Sequence, residues 1–226
     1  MTGPAAVIQA DFDRLALLSR AQWDHNAHYH RFLLQHVPAP CAEALDIGCG
    51  SGAFARLLAG RAQHVLGLDL APEMVRLARE RSAHLANLEF QVADVREWDW
   101  PAGRFDCIAT IATLHHLPLA EMLARMKAAL RPGGALLVLD LFRGKGVVDL
   151  LAAGLAIPVG VLLRLFHTGR LREPRAIREA WAAHAPHDSY LTLAEIRRIC
   201  AEVLPGARVR RHLLWRYSIV YKWVMR

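Results

Sequence analysis

Cysteine is scarce in this 226-residue chain and lysine is nearly absent. The four cysteines, Cys41, Cys49, Cys107 and Cys200, form no C-x-x-C pair. Three of them fall in or beside apolar runs, where a small buried thiol is the ordinary arrangement. This excludes a disulfide framework or a cysteine zinc site as the organising feature and points to a reducing, cytoplasmic setting. Lysine occurs only at Lys127, Lys145 and Lys222, so arginine carries the formal net charge of +7. The arginines lie singly on helical stretches (Arg76, Arg79, Arg81) or at segment ends (Arg208, Arg210, Arg211), never in a block with interleaved aromatics. A solvated basic surface is expected, and no nucleic-acid partner. Residues 1–13 lack a basic stretch leading into an apolar one, which argues against a secretory signal. The long apolar run at 147–163 falls short of the ~20 residues that span a bilayer, and Asp149, Pro158 and Arg164 interrupt or bound it.

What is present is a chain with 54% hydrophobic residues, enough to bury a sizeable core in a single domain. Apolar runs of strand character near 43–47, 64–69, 88–92, 105–111 and 134–141 alternate with helical stretches near 52–60, 72–84 and 118–130. Alternation of this kind predicts an α/β fold, a parallel sheet with helices on both faces. Pro72-Glu73 suits a helical first turn. Pro174 suits the start of a helix carrying Ile177 and Trp181 on one face, and Thr192 with Glu195 reads as a capping box on a last helix at 192–203. Two apolar runs, 207–214 and 218–224, around a short link at 215–217 read as a terminal hairpin.

The densest chemistry lies at residues 44–52, Ala-Leu-Asp-Ile-Gly-Cys-Gly-Ser-Gly, followed at 65–69 by Val-Leu-Gly-Leu-Asp. An apolar strand ends in an acid and then in three glycines at alternate positions, and a second strand ends in another acid. Glycines let a backbone approach a ligand closely, the loop opens onto a helix N-terminus, and an acid at the second strand's tip can accept both ribose hydroxyls. The dinucleotide spacing G-x-G-x-x-G is absent. Asp46 at the mouth of the loop would repel a pyrophosphate but accept a hydrogen bond from an ammonium group. S-adenosylmethionine (SAM) combines ribose, adenine and an amino acid without phosphate, and fits this pattern better than NAD(P), the alternative of an oxidoreductase.

Further along, Phe90-Gln91-Val92-Ala93-Asp94-Val95 is a third run ending in an acid, Phe105-Asp106 opens a fourth strand, and Leu130-Arg131-Pro132-Gly133-Gly134 leads into a fifth. Taken in this order, residues 41–141 resemble the class I SAM-dependent methyltransferases of small molecules, and the chain is similar to the UbiE/methyltransferase-11 group. The resemblance implies a Rossmann-like, seven-stranded, mostly parallel sheet closed by a C-terminal antiparallel hairpin. It implies SAM as cofactor, S-adenosylhomocysteine as product, and transfer of a methyl group to oxygen, nitrogen or carbon of a small molecule. A SAM-binding protein of this fold without turnover is the second reading.

The cofactor-binding residues so implied are Tyr29, His30, Asp46, Gly48, Cys49, Gly50, Asp69, Leu70, Met74, Ala93, Asp94, Val95 and Ile111. In that family the third acid accepts from the adenine amino group. His115, just past the fourth strand in Thr110-Ile111-Ala112-Thr113-Leu114-His115-His116, is the candidate catalytic base, since an imidazole titrates near neutrality. The [N/D]-P-P-[Y/F] motif of enzymes that methylate adenine or glutamine amino groups is missing at 110–113, which favours a small-molecule acceptor.

Within the one domain, residues 1–40 read as a helical lid, 41–141 as the cofactor core, 142–190 as an inserted cap, and 191–226 as the last helix and hairpin. The lid carries Trp23-Asp24-His25-Asn26-Ala27-His28-Tyr29-His30. His25, His28 and His30 lack the i, i+4 pairing of a helical metal motif, so no metal is expected. His187, Asp188 and Tyr190 read as structural neighbours of the last helix. The apolar segment 147–163 reads as a cover over an acceptor pocket or a contact with a membrane surface or second subunit, with Leu150, Leu151, Leu162 and Leu163 as its side chains. The protein is expected to be a monomer or homodimer.

Overall fold

The computed structural model describes residues 3–18, 25–145 and 147–223. Trp23, Asp24, Val224 and the side chains of Leu150 and Leu151, which figured in the sequence reading, lie outside the described residues.

In chain order the elements are α1 (Pro4–Leu18), α2 (His30–Leu34), β1 (Glu43–Ile47), α3 (Ala53–Ala59), β2 (His64–Asp69), α4 (Pro72–Ser82), β3 (Leu88–Val92), β4 (Phe105–Ile111), α5 (Leu119–Ala129) and β5 (Leu130–Leu141). There follow α6 (Val147–Thr168), α7 (Arg175–His184), α8 (Leu193–Val203), β6 (Arg208–Arg211) and β7 (Arg216–Lys222). The strands form one sheet in the order β3-β2-β1-β4-β5-β7-β6. The first five run parallel and β7 runs antiparallel to both neighbours.

Central strands buried on both faces read as continuous apolar runs rather than alternating ones, and Ala135–Leu139 is buried at every residue. Two apolar layers flank the sheet. One gathers Leu45, Ile47, Ile108, Met122, Met126 and Ile196 under α5 and α8. The other gathers Ala44, Phe54, Leu58, Val75 and Leu137 under α3 and α4. Asp106 of the Phe-Asp pair staples the start of the sheet, its Oδ2 accepting from the amides of Ala42 (2.8 Å) and Glu43 (2.9 Å).

The structure departs from the sequence reading at two strand ends. β5 begins at Leu130 rather than near 134, because residues 131–134 form an irregularity within the ladder: Phe105 pairs with Leu130, then Cys107 with Ala135. Gly133 takes φ +84° there, its amide bonds the carbonyl of Trp223 (2.7 Å), and Trp223 returns a bond to Gly134 (2.8 Å). The terminal hairpin turns at 212–215 instead of 215–217. Consecutive left-handed residues Leu214 (φ 58°) and Trp215 (φ 55°) make the reversal, which places Arg216 and Tyr217 in β7. The capping box on α8 forms as its residues dictate, with Thr192 and Glu195 each bonding the other's backbone amide.

Candidate active site

Because β1 to β5 run parallel, Asp46, Asp69, Asp94, Ile111 and Asp140 all fall at one edge of the sheet, the edge outside the carboxyl ends where open α/β sheets bind ligands. The loop after β1 is held open by three left-handed glycines, Gly48 (φ +65°), Gly50 (φ +51°) and Gly52 (φ +77°). Their surroundings differ. A Cβ on Gly48 would meet Thr113 Oγ1 at 2.0 Å, whereas one on Gly50 would meet nothing within 4 Å. Gly50 therefore has open space on its Cβ side, while its amide is taken by Asp69.

Asp69 fixes this loop. Its carboxylate accepts from the amide of Gly50 (2.8 Å) and from that of Ala71 (2.9 Å), and Leu70 and Met74 follow, both half-buried, at the entry to α4. Burial raises the Asp69 carboxyl above its usual range, and the two amides offset part of that rise. Asp46 lies deeper, 2% exposed, with Oδ2 lacking a hydrogen-bond partner among the described residues. Burial first, and then the neighbouring Asp69 charge, push its pKa up to about 8. Cys49 is buried between the two acids, its amide bonding Leu68 (2.9 Å) and its thiol pushed well above the ordinary value by burial.

On the far side, the Ala93 amide bonds the Asp69 carbonyl (2.9 Å). Both Asp94 oxygens are engaged by Arg96, at 2.9 Å from Nε and 2.5 Å from Nη2, which holds the carboxyl below its usual range. Val95 is buried, and its carbonyl accepts from the Trp100 indole (2.9 Å). At the tip of β4, half-buried Ile111 is followed by Ala112 with φ 51°, a left-handed non-glycine that costs roughly 1–2 kcal/mol. That bend brings the Thr113 hydroxyl onto the Ile111 carbonyl (3.0 Å) and over Gly48. No local signal marked Ala112 or Thr113 in the sequence.

The two lid residues separate. The ring of His30 packs on Phe54 in the first turn of α3 (5.2 Å), beside the glycine loop. Tyr29 is buried, and its hydroxyl donates to the Leu213 carbonyl (2.8 Å) in the hairpin turn. Of the histidines weighed for metal, His25 meets Arg164 of α6 at 3.0 Å and His28 is exposed, so the three are scattered. Asp13 of α1 accepts from the Glu73 amide (2.9 Å) and so caps α4 beside Asp69, drawing α1 over this edge of the sheet.

His115 is drawn into a different set of groups. Asp140, the one acid in the run Ala-Leu-Leu-Val-Leu-Asp-Leu, is 1% exposed and accepts from the His115 amide (2.9 Å) and from His115 Nδ1 (2.6 Å). The other His115 nitrogen points at Asp188 Oδ1, 3.7 Å away, and the side chain is only 7% exposed. Both ring nitrogens thus face carboxylates, and the geometry turns no basic nitrogen of His115 outward. His116 and His184 complete the cluster: His116 is held down to about 4 by burial and by neighbouring imidazoles. His187 shares Asp11 Oδ2 with His184, at 3.1 and 3.0 Å. The lone acid inside an apolar strand was the sequence signal for this cluster, since a buried carboxylate requires partners.

The apolar segment forms α6, which continues through Pro158. Ala156 and Gly160 lie on its inner side, Gly160 beside Leu214, while Ile157 (61%) on one flank and Leu162 (64%) with Phe166 (85%) on the other are exposed. Among the described residues, no helix is long and apolar enough to cross a membrane.

Parallel strands in this order, with an acid at each of three tips and a loop of left-handed glycines, make an edge of the kind at which open α/β sheets bind ligands. Comparison with known proteins gives the family. A family model described as "Methyltransferase domain" matches residues 44–134. An uncharacterized methyltransferase of Mycobacterium tuberculosis is 29% identical over 88% of this chain and 96% of its own. A ubiquinone biosynthesis O-methyltransferase of Xylella fastidiosa is 28% identical over 78% of this chain and 77% of its own. A SAM-dependent methyltransferase of Aquifex aeolicus shares the fold, with TM-score 0.58 and 17% identity over 99% of this chain and 100% of that one. The chain belongs to the class I SAM-dependent methyltransferases and is an enzyme that uses SAM as methyl donor.

Proposed function

We propose that this enzyme methylates a small molecule with an apolar body, and that the edge built on Asp69 is where SAM sits. The carrying observation is the Asp69 carboxylate at the tip of β2, locked by the Gly50 and Ala71 amides at 2.8 and 2.9 Å beside a loop position with open space on its Cβ side. In this reading Asp69 accepts the ribose hydroxyls. Gly48, Cys49 and Gly50 let the loop approach the methionine moiety closely, and Asp46 with its unpartnered oxygen faces the ammonium group. Leu70, Met74, Ala93, Val95 and Ile111 wall the adenine and sulfonium, Asp94 shares its carboxylate between Arg96 and the adenine amino group, and His30 closes the amino-acid end. Tyr29 acts from behind, by fixing the hairpin turn.

Methyl transfer from a sulfonium is an in-line displacement: the acceptor's lone pair forms the new bond to carbon as the carbon–sulfur bond breaks, and S-adenosylhomocysteine leaves. Alignment and exclusion of water supply most of what such a step needs, roughly 7–11 kcal/mol at best. The proposal therefore routes no proton through His115, whose nitrogens are turned to Asp140 and Asp188.

The apolar acceptor is supported by the exposed pair Leu162 and Phe166, one turn apart on α6, a natural contact for a lipid-like molecule or the membrane surface that carries it. The relative named for ubiquinone biosynthesis supports the same reading. The setting is the bacterial cytoplasm. The test is transfer of radiolabelled methyl from SAM to a panel of polyprenylated phenols, short-chain phenols and amino alcohols. Label in the polyprenylated phenols alone bears the proposal out; label confined to amino alcohols refutes it.

A further inference from the structure

Four buried side-chain atoms, on three residues, converge at the end of β4 and β5 with their hydrogen-bonding capacity unfilled. His116 (side chain 6% exposed), His184 (2%) and Asp188 (10%) contribute His116 Nδ1 and Nε2, His184 Nε2 and Asp188 Oδ1, all buried and without a hydrogen-bond partner among the described residues. Native structures rarely leave even one such atom unmatched, because each costs roughly 1–3 kcal/mol. Here they face one another. Asp188 Oδ1 lies 3.7 Å from His115 Nε2, 3.6 Å from His116 Nδ1 and 3.2 Å from His184 Nε2.

The tautomers sharpen the point. His115 Nδ1 is bonded to Asp140 at 2.6 Å and His184 Nδ1 to Asp11 at 3.0 Å, so each places its ring proton on a carboxylate. The inward Nε2 of His115 then carries a lone pair, and His116, with neither ring nitrogen partnered, can turn a second lone pair toward the same carboxylate oxygen. A cation among the three reconciles them. The ligand atoms of His115, His116 and Asp188 lie within 4.8 Å of one another, with the two nitrogens 3.7 and 3.6 Å from the carboxylate oxygen, and a tetrahedral site with ligand bonds of about 2.0–2.1 Å has edges of about 3.3–3.4 Å. An outer carboxylate on the second nitrogen of a ligating histidine is the usual way its tautomer and ring are fixed. Asp140 stands in that position on His115, Tyr190 bonds the other oxygen of Asp188, and Phe12 packs edge-on against His116 and His184.

We infer that His115, His116 and Asp188 hold a divalent transition-metal ion, zinc above all. Two nitrogens and one carboxylate oxygen suit zinc, and three protein ligands leave its fourth position to a water or another small ligand. The ion joins the β4–α5 connection, which carries His115 and His116, to the cap segment, which carries Asp188; His184 stands behind Asp188 and, through Asp11, ties in α1. It is therefore a clasp holding lid and cap over the sheet edge. The sequence pointed away from metal because the histidines it offered together, His25, His28 and His30, are not the ones the fold assembles.

The test uses the full chain purified without a polyhistidine tag. Elemental analysis is expected to find stoichiometric zinc in the native protein, lost in both His116→Ala and Asp188→Asn. Should those variants fail to fold, cobalt titrated into metal-free native protein gives the answer on its own, through the intense visible absorption of a tetrahedral nitrogen-oxygen site. Folded native protein that takes up neither zinc nor cobalt overturns the inference and makes the cluster a protonated hydrogen-bond network. Metal retained in both variants, or a weak octahedral cobalt spectrum, overturns it equally. None of these readouts uses SAM, so they stand apart from the methyl-transfer reading.

Discussion

Replacing Asp69 by alanine removes the group on which the cofactor assignment turns. In the structure each carboxylate oxygen already takes one backbone amide, at 2.8 Å from Gly50 and 2.9 Å from Ala71, leaving one further lone pair each for the ribose hydroxyls. Hydrogen bonds to a charged acceptor contribute about 1.5–3 kcal/mol apiece. Part of that gain is offset because the carboxylate, already partly desolvated, loses its remaining water when the ribose arrives. A net loss of about 3 kcal/mol follows for Asp69→Ala, or about 100-fold in Kd. Calorimetric titration with S-adenosylhomocysteine measures it, with circular dichroism confirming that the variant is folded. Asp94→Ala is the contrast. Its carboxylate is engaged by an exposed arginine, so its loss should cost nearer 1 kcal/mol, about fivefold. A folded Asp69→Ala protein that binds within about threefold of wild type, or an Asp94→Ala protein hit harder than it, would refute the reasoning.

Three further outcomes follow from the same loop and its surroundings. Gly48→Ala drives a methyl into Thr113 and should lower thermal stability markedly, whereas Gly50→Ala meets open space and should weaken SAM binding with a stability loss of only about 1–2 kcal/mol from its left-handed φ; differential scanning calorimetry beside titration separates them. Asp46, raised to about 8 in the folded protein against about 3.9 unfolded, makes the folded state bind the extra proton between those values. Stability from this group is thus complete below about 4 and lost as pH rises through about 8, and at pH 7 SAM binding should release a proton, seen as a dependence of the calorimetric heat on buffer ionisation enthalpy. Thr192→Ala breaks the capping box of α8 and should cost about 1 kcal/mol, a fall in Tm of about 2–4 °C with methyl transfer retained.

The loop geometry proposed for the donor was legible because its parts are close in sequence. Asp46, Gly48, Gly50 and Asp69 belong to one strand–loop–helix–strand unit, and parallel pairing of β1 with β2 fixes their geometry. What escaped were features decided by packing. The strained Ala112 is set by Thr113 filling the space over Gly48. The engagement of Asp94 by Arg96 is a choice among several nearby arginines. The hairpin turn sits where Leu214 and Trp215 go left-handed, although neither residue type favours that conformation.

The cap side was illegible for a more instructive reason. His115 meets Asp140 only because β4 and β5 are neighbours, and His184 meets Asp11 across 173 positions of sequence. No window of the chain holds more than two members of that cluster except 184–190, which read locally as a turn before a capped helix. Yet each member left a trace: an acid inside an apolar strand, adjacent histidines after β4, and an His-x-x-x-Asp spacing before α8. Each demanded a partner that its own segment lacked, and three unmet demands from separate segments are best met by one another. A search for buried polar residues without a local partner would have grouped them, and that grouping, rather than any single motif, is what distinguishes the histidine cluster from the glycine-loop edge of the sheet.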